Sequence, residues 1–413
     1  MVRAASICII LHAILKLTTS SVPNVPPTST DKKPKKRQVI SRKHKTIPAK
    51  ALSTDELWLH YYMAYNTAKT AKTKEWRSFC EDDSTIPSEY ICRLSVPENK
   101  IPRVEQIIGH AAQLIFPCLG FLHRNIMRKD MNSTAQCRIV YELPSLHSWA
   151  RSLITATKCN YSVGSLLNVS EGTDHRCSAI MEVTKIATGA STSLNSFDVN
   201  ADISSWLYGN LNIRPERASP STVSLGILNR KSNRRFQGVE YVFNRRSRYF
   251  SVKSVRISIT TMDDKSMSEQ AAWMRSKDII LTPHGSQVSN ALFLRKCAAL
   301  VEFFPANYFL PNFYGPLVSE VGSLAFAVSN GTGQTPSTFE ERERVRSRNV
   351  VADDNFAHYV ACVVLPEVVR SRMKCLRSLS RKESAGVDQG MSFLSDLQNK
   401  CSSSRPSSGA HHL

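Results

Sequence analysis

Residues 278–305 constrain the fold more than any other part of the chain. An apolar run from Ile279 to Leu281 is broken by Pro283 and Gly285, and a second apolar run covers Ala299 to Phe304. Two apolar runs separated by turn residues and a helix-length segment predict a strand–turn–helix–strand unit. Buried strands joined in this way form a parallel crossover that is covered on both faces. The stretch therefore predicts an α/β domain with a parallel sheet.

The turn of this unit, His284-Gly285-Ser286, is a candidate ligand site. Ligands of parallel sheets bind beyond the carboxyl ends of the strands, where these residues are expected. Gly285 lets a backbone approach a ligand closely, and a helix capped by Ser286 or Ser289 offers N–H groups to an anion. A phosphate or pyrophosphate suits that position.

The same stretch resembles the C-terminal motif of glycosyltransferase family 61. In that motif a strand leads into His-Gly and a small residue, an Asn precedes Leu-Phe, and the next strand ends in Glu-Phe/Leu-Phe-Pro. This chain carries His284-Gly285-Ser286, then Asn290 before Leu292-Phe293, then Glu302 to Pro305.

The order of the chain upstream agrees with the resemblance. Val223 to Leu228 forms a strand-like run followed by Arg230 and the pair Arg234-Arg235, and Met267 to Met274 matches the helix before the His-Gly strand. The resemblance implies a GT-B-type α/β fold, with two Rossmann-like doubly wound domains facing a cleft. It also implies inverting transfer of a sugar from a nucleotide-sugar donor, UDP-linked, to a protein or glycan hydroxyl. No cofactor is implied, because positive side chains and a helix N-terminus commonly replace a metal in such folds.

Three arginines form the candidate clamp for the leaving group: Arg230, Arg234 and Arg235. Arginine presents a planar fork that binds phosphate oxygens through two hydrogen bonds. Arg230 is the strongest candidate because it follows the end of a predicted strand. A solvated basic turn is the alternative.

Three further residues are candidates for donor binding, and each has a structural alternative. His284 can donate to a phosphate or ribose oxygen, or cap its own turn. Asn290 can bind the loop or the nucleotide, or cap the helix. Glu302 ends a predicted strand and can bind ribose, or pair with an arginine.

His110 is the candidate general base for the acceptor hydroxyl. It lies in the stretch Gly109 to Pro117, which resembles the family's acceptor-domain motif of a His with Pro seven residues later. Gln113 and Leu114 stand where the family usually carries Asp or Glu. The alternative for His110 is a core histidine on an apolar helix. The corresponding alternative for the protein is a non-catalytic GT-B-like protein that binds glycan or nucleotide.

Charge and composition narrow the class of protein. The chain has 413 residues, 42% of them hydrophobic, which permits two domains with real cores and excludes a disordered protein. Its net charge of +20 suits polyanions, sugar-nucleotide phosphates or an anionic membrane. The sequence lacks helix-turn-helix, zinc-site or RNP-type signals, so we expect no nucleic-acid partner.

The start of the chain predicts the secretory pathway. Residues 1–21 are a signal peptide or signal anchor, and residues 22–50 a basic stem. Four sequons add to this, at Asn132, Asn160, Asn168 and Asn330. We expect a protein of the Golgi or endoplasmic reticulum lumen, with a single type II membrane anchor if the leader is not cleaved.

The domain boundaries follow from composition. We expect an acceptor-side domain over residues 51–214, a nucleotide-sugar domain over 215–376, and a disordered tail over 377–413. Within the first domain, we predict irregular or helical structure over Leu52–Phe79 and a helix over Val104–Leu122 that is interrupted at Pro117. Cys80–Cys92 is the nearest disulfide by spacing.

Overall fold

Two mostly parallel sheets with helices packed on them make up the fold. The computed structural model describes residues 58–63, 76–78, 89–95, 108–126, 136–142, 146–163, 178–183, 199–214, 222–246, 249–330, 335–379 and 386–403. These residues all lie in one compact unit, Lys45–Leu413.

Strands and helices alternate along most of the chain. The strands are β1 (Trp58–Met63), β2 (Trp76–Ser78), β3 (Glu89–Leu94), β4 (Gln136–Tyr141), β5 (Asn160–Val163), β6 (Ser178–Val183), β7 (Val223–Leu228), β8 (Phe236–Gln237), β9 (Val255–Thr260), β10 (Ile279–Pro283), β11 (Ala299–Phe304), β12 (Leu324–Asn330) and β13 (Val350–Val351). The helices are α1 (Ile108–Ile126), α2 (Ser148–Ala156), α3 (Ala201–Asn210), α4 (Met267–Arg275), α5 (Gly315–Glu320), α6 (Phe339–Arg346), α7 (Asp354–Tyr359), α8 (Leu365–Arg377) and α9 (Gly386–Ser403). A 3-10 helix covers Ser286–Phe293, and π-helical turns cover Tyr241–Arg246 and Val360–Val364.

The first sheet has the strand order β2-β6-β3-β4-β5, in which β2 is antiparallel and the other strands are parallel. The second sheet has the order β1-β12-β11-β10-β7-β9, in which β1 is antiparallel to β12 and the other neighbours are parallel. β13 and β8 form a short parallel pair. The α/β class predicted from the sequence is confirmed.

The strand–turn–helix–strand unit predicted over residues 278–305 is confirmed as a parallel crossover between β10 and β11. Every residue of both strands is buried, because helices cover the two faces of this sheet. The connecting helix is a 3-10 helix, and its N-cap is Gly285 with no side-chain cap. The prediction that Ser286 or Ser289 caps it is therefore wrong.

The halves of the chain share one hydrophobic core. Leu114 and Phe116 of α1 and Trp149 of α2 belong to the same cluster as Val288 and Phe293 of the 3-10 helix. A second cluster lies between the second sheet and the C-terminal helices, where Phe303, Phe356 and Phe393 are buried.

Two predictions for the N-terminal half are wrong. Within Leu52–Phe79, the described residues 58–63 and 76–78 form the strands β1 and β2, where helical or irregular structure was predicted, and β1 joins the second sheet instead of the first. Helix α1 is also continuous through Pro117. A proline inside a helix costs about 3 kcal/mol, but almost every side chain from Gly109 to His123 is buried, and this packing maintains the helix.

The prediction of a disordered tail is wrong for Gly386–Ser403, which forms α9. Phe393 and Leu397 are fully buried against α8, and Cys401 forms a disulfide with Cys362. Because these apolar residues recur at helical spacing, the chain folds back onto the second core.

Disulfides within the described residues join Cys92 to Cys118, Cys137 to Cys159, Cys297 to Cys375 and Cys362 to Cys401. The predicted Cys80–Cys92 pair is wrong, because Cys92 on β3 faces Cys118 on α1 with a Cα–Cα distance of 5.8 Å. That separation is normal for a disulfide.

Several predictions fall outside the described residues: the leader 1–21, the stem 22–50, and the sequon residues Asn132 and Asn168. Among the helices that are described, none combines the length and the apolar composition needed to cross a membrane.

Candidate functional site

The carboxyl ends of three adjacent strands meet at one edge of the second sheet. β10 lies between β7 and β11 and is parallel to both. Arg230 follows β7, His284 follows β10, and Glu302 lies near the end of β11. The parallel topology therefore brings together candidates that are up to 72 residues apart in sequence.

His284 and Glu302 form a buried pair. The register places Thr282 beside Glu302, and the N–H of His284 donates to the carbonyl of Phe303 at 2.8 Å. As a result, Nδ1 of His284 lies 2.6 Å from Oε1 of Glu302. The imidazole also stacks on Phe304, with 4.8 Å between ring centroids. The partner of Glu302 is thus a histidine, rather than the arginine considered from the sequence.

The surroundings of this pair oppose charge on both groups. Burial lowers the pKa of His284 well below its ordinary value, and the charges of Arg234, Arg346 and Arg230 lower it further. Burial raises the pKa of Glu302 well above its ordinary value, against an opposing effect of Arg234. The arrangement consistent with both directions is a neutral pair, in which the carboxyl proton lies toward Nδ1 and Nε2 carries the ring proton.

Arg230 lies directly over the His-Gly turn. An ideal Cβ added to Gly285 would overlap Nη1 of Arg230. That Nη1 is buried and has no hydrogen-bond partner, and Arg230 forms no ion pair with a carboxylate in the described part of the chain. Burial lowers its pKa. A buried guanidinium nitrogen without an acceptor is unusual and indicates a site for an anionic ligand.

Arg234 is held beside Arg230 by an uncommon backbone conformation. Its φ is 59°, in the left-handed region that non-glycine residues rarely adopt. Burial, followed by the charges of Arg230 and Arg346, lowers the pKa of Arg234 to about 10. Strained backbone of this kind is concentrated at functional sites.

Arg235 is not part of this cluster. Its side chain is exposed, its N–H donates to Oδ1 of Asn349 at 3.2 Å, and its carbonyl accepts from the N–H of Val350. Its backbone leads into β8 and extends the pairing of β8 with β13 by one residue. The third arginine acting on His284 is Arg346 of α6, which the sequence analysis missed because it lies more than 100 residues beyond the first two.

Aromatic side chains complete the wall around His284. The rings of Tyr308, Phe313 and Tyr314 lie 5.2, 6.3 and 5.9 Å from its ring. The hydroxyl of Tyr308 is 3.4 Å from Nε2. Such a wall limits the access of water and strengthens electrostatic interactions within the site.

The start of α1 reaches the same wall. Gly109 lies against Phe313 and Tyr314, so close that an ideal Cβ at this position would meet the Tyr314 hydroxyl. His110 is the next residue, and it is half-buried. The structure therefore places the residue before His110, and with it the first turn of α1, against the aromatic residues that surround His284.

The hydrogen bond of His110 fixes its proton. Nδ1 lies 3.1 Å from Oε1 of Gln113. With the Gln113 oxygen in this position the amide can only accept, which requires the proton on Nδ1 and, in a neutral ring, the lone pair on Nε2. This is the tautomer that a general base needs at Nε2.

Asn290 contacts the N-terminal half of the chain. It is fully buried, and its Oδ1 accepts from Nε1 of Trp149 at 2.9 Å. Gln287 anchors the turn, since its Nε2 donates to the carbonyl of Pro283 at 2.8 Å. Ser286 is half-buried at the first position of the 3-10 helix, whose first N–H groups have no intrahelical acceptor.

Together these residues can bind an anion at the end of the second sheet. Arg230 and Arg234 supply positive charge, the start of the 3-10 helix supplies N–H groups, and Nε2–H of His284 supplies a neutral donor. In the described residues no group of three or more His, Cys, Asp and Glu side chains is placed to hold a metal ion.

Comparison with known proteins gives one family. The family model described as Glycosyltransferase 61 matches residues 88–301, just over half of the chain. The match begins before β3 and ends in β11. It therefore includes His110, the loop after β7 that carries Arg230, Arg234 and Arg235 (the arginine loop), and the His-Gly turn. A search of curated proteins finds no match.

Proposed function

Because the chain belongs to glycosyltransferase family 61, we propose that it is an inverting glycosyltransferase. It moves a sugar from a nucleotide-sugar donor, UDP-linked, to a hydroxyl of a protein or glycan. The observation that carries this proposal is the half-buried pair Arg230 and Arg234 beside the His-Gly turn. Among the described residues neither forms an ion pair with a carboxylate, and Nη1 of Arg230 has no hydrogen-bond partner.

The donor's diphosphate occupies the edge of the second sheet. As the bond to the sugar breaks, negative charge develops on the leaving phosphate, and preorganised positive groups stabilise it. Arg230 and Arg234 supply these groups in place of a metal. Backbone N–H groups at Ser286 and Gln287 and Nε2–H of His284 donate to the remaining oxygens.

The other predicted donor residues have supporting roles. Glu302 keeps the proton of His284 on Nε2, where it is a donor. Asn290 fixes the 3-10 helix against α2 through Trp149, and its binding of the nucleotide stays a prediction.

The acceptor hydroxyl approaches from the first sheet, as in the GT-B arrangement that the family suggests. His110 removes its proton through Nε2, while Gln113 holds the ring in that tautomer. The contact between Gly109 and Tyr314 supports this placement, because it brings the start of α1 to the wall of the donor site.

We place the protein in the secretory pathway, with the leader 1–21 as its signal or single membrane anchor. The disulfides of the described residues support this location, since structural disulfides form in oxidising compartments.

One observation favours a second candidate function, a non-catalytic protein that binds nucleotide or glycan. Gln113 stands where the family usually carries an acid, and His110 is oriented by an amide instead of a carboxylate. An amide does not stabilise a protonated histidine as a carboxylate does.

A donor screen with UDP-, GDP- and CMP-sugars tests the proposal, with nucleotide release as the readout and EDTA as a parallel condition. We expect release from a UDP-sugar that continues in EDTA and is reduced in Arg230→Ala. Donor binding without any release would favour the non-catalytic protein. Strict Mn²⁺ dependence would overturn the arginine clamp as the substitute for a metal.

A further inference from the structure

Helix α6 packs over the candidate donor site. Val345 is buried in a small cluster with Phe304 and Tyr308. These two aromatic rings contact His284, with centroid distances of 4.8 and 5.2 Å. The last residue of α6, Arg346, therefore follows a side chain that is packed against the wall of the site.

The segment after α6 is tied to the arginine loop. The N–H of Val350 donates to the carbonyl of Arg235 at 3.0 Å, and the N–H of Ala352 donates to the carbonyl of Gln237 at 2.8 Å. Asn349 accepts from the N–H of Arg235. Arg346 is thus fixed on both sides relative to Arg230 and Arg234.

Arg346 shares its electrostatic environment with the site. Its positive charge contributes to lowering the pKa of Arg230, Arg234 and His284, and it opposes the rise that burial causes in the pKa of Tyr308. Few carboxylates oppose these cations: Glu302 is paired with His284, Glu343 lies 2.5 Å from Nη1 of Arg346, and Asp263 acts on Arg230. Glu343 is partly exposed, so its ion pair with Arg346 is easily exchanged.

We propose that Arg346 is a third phosphate-binding arginine of the donor pocket, and that it exchanges Glu343 for an oxygen of the donor's diphosphate. This inference rests on the proposed function, because it takes the diphosphate as the ligand. Arg346 lies outside the segment 88–301 that matches the family, so the family resemblance does not assign it this role.

The helix provides a matched control. Arg344 lies two residues before Arg346, is 70% exposed, and has only a loose contact with Glu341 at 3.8 Å. Inorganic pyrophosphate is the probe, and its binding to the full chain is measured by calorimetry. We expect Arg346→Ala to weaken binding by about tenfold or more, since charge-assisted hydrogen bonds have that magnitude. We expect Arg344→Ala to leave the affinity within about twofold of wild type.

A second variant removes the competing anion and leaves all three arginines in place. Glu343→Gln should tighten pyrophosphate binding several-fold, because Arg346 no longer has to leave a carboxylate. Equal affinities for wild type and Arg346→Ala, or unchanged affinity in Glu343→Gln, would overturn the role of Arg346 alone. A wild-type protein that binds no pyrophosphate and releases no nucleotide from any donor would overturn the proposed function as well.

Discussion

The guanidinium of Arg230 occupies the space that the Cβ of any other residue at position 285 would need. An ideal Cβ on Gly285 would overlap Nη1 and lie 3.0 Å from Cζ of Arg230, and 2.5 Å from Oε1 of Gln287. The φ of Gly285 is 169°, an extended value open to any residue. Any other residue at position 285 would therefore have to displace the end of the Arg230 side chain, apart from any effect on the approach of a ligand.

This contact predicts that Gly285→Ala acts through Arg230. The added methyl group displaces the guanidinium, so UDP affinity should fall by about tenfold or more, as in Arg230→Ala. Because both changes remove the same interaction, the double variant should be little weaker than either single variant. UDP binding is measured by calorimetry for Gly285→Ala, Arg230→Ala and the double variant, which together with wild type form a double-mutant cycle. Fully additive losses would show that Gly285 and Arg230 contribute independently.

The arginine loop gives a second prediction with its own control. Arg234→Ala should weaken UDP binding by about tenfold or more, since its side chain is half-buried and its charge acts on His284 and Arg230. Arg235→Ala should change the affinity little, because that side chain is exposed and only its backbone is engaged. Equal losses in the two variants would place the site elsewhere on the loop.

The His284–Glu302 pair predicts a pH dependence of binding. The pKa of Glu302 is raised by burial, so the neutral pair persists above the range in which an ordinary carboxyl ionises. As pH rises through the raised pKa the pair loses a proton, and UDP affinity should fall because the site becomes less positive. The dependence should be reduced in Glu302→Gln, whose amide does not titrate. A wild-type affinity that is flat on the alkaline side, measured by calorimetry, argues against this protonation state.

A buried ionic cluster predicts a large loss of stability in a single variant. Asp278 is almost fully buried; it accepts from Nη2 of Arg295 at 2.8 Å, from the N–H of Ser224 at 2.8 Å, and from Arg372. Asp278→Ala should lower the free energy of unfolding by about 3–5 kcal/mol, because it leaves buried cations unpaired.

The control for Asp278 is Asp264, which pairs with Lys231 at the surface and is 77% exposed. Asp264→Ala should leave the free energy of unfolding close to that of wild type, because water screens this exposed pair. Urea unfolding followed by circular dichroism measures both. If Asp278→Ala lowered the free energy of unfolding no more than Asp264→Ala does, the arginines around Asp278 would not depend on its charge.

The proposed location predicts a glycan on Asn160. This residue is exposed at the start of β5, an edge strand of the first sheet, and belongs to the sequon Asn160-Tyr161-Ser162. In secreting cells, Asn160→Gln and Ser162→Ala should each increase gel mobility by the same single step, while Tyr161→Phe should not. A protein whose mobility does not respond to an endoglycosidase would contradict the secretory location itself.

Local apolar patterns predicted the second sheet well. β7 and β11 occur where the sequence places them, because strands buried on both faces are continuous apolar runs. The positions of Arg230, Arg234 and His284 follow from the same strands, since side chains just after parallel strand ends meet at one edge.

Features that depend on distant contacts could not be predicted. Arg346 reaches the site only because Val345 packs on Phe304 and because β13 pairs with β8, and neither contact has a local signal. The partner of Cys92 likewise depends on where α1 crosses β3. For α9 the signal was present in its apolar spacing, but its serine-rich and polar composition obscured it.

Strand β1 has a consequence for protein engineering. It precedes the whole first sheet in sequence, yet it pairs along β12 at the border of the second sheet, from Trp58 opposite Asn330 to Met63 opposite Ala325. A chimera cut between residues 215 and 220 would carry β12 without this neighbour and expose its backbone to association with other chains. The C-terminal half is therefore not transferable by itself: a transplant that keeps β12 paired has to include residues 58–63, or supply another strand in their place.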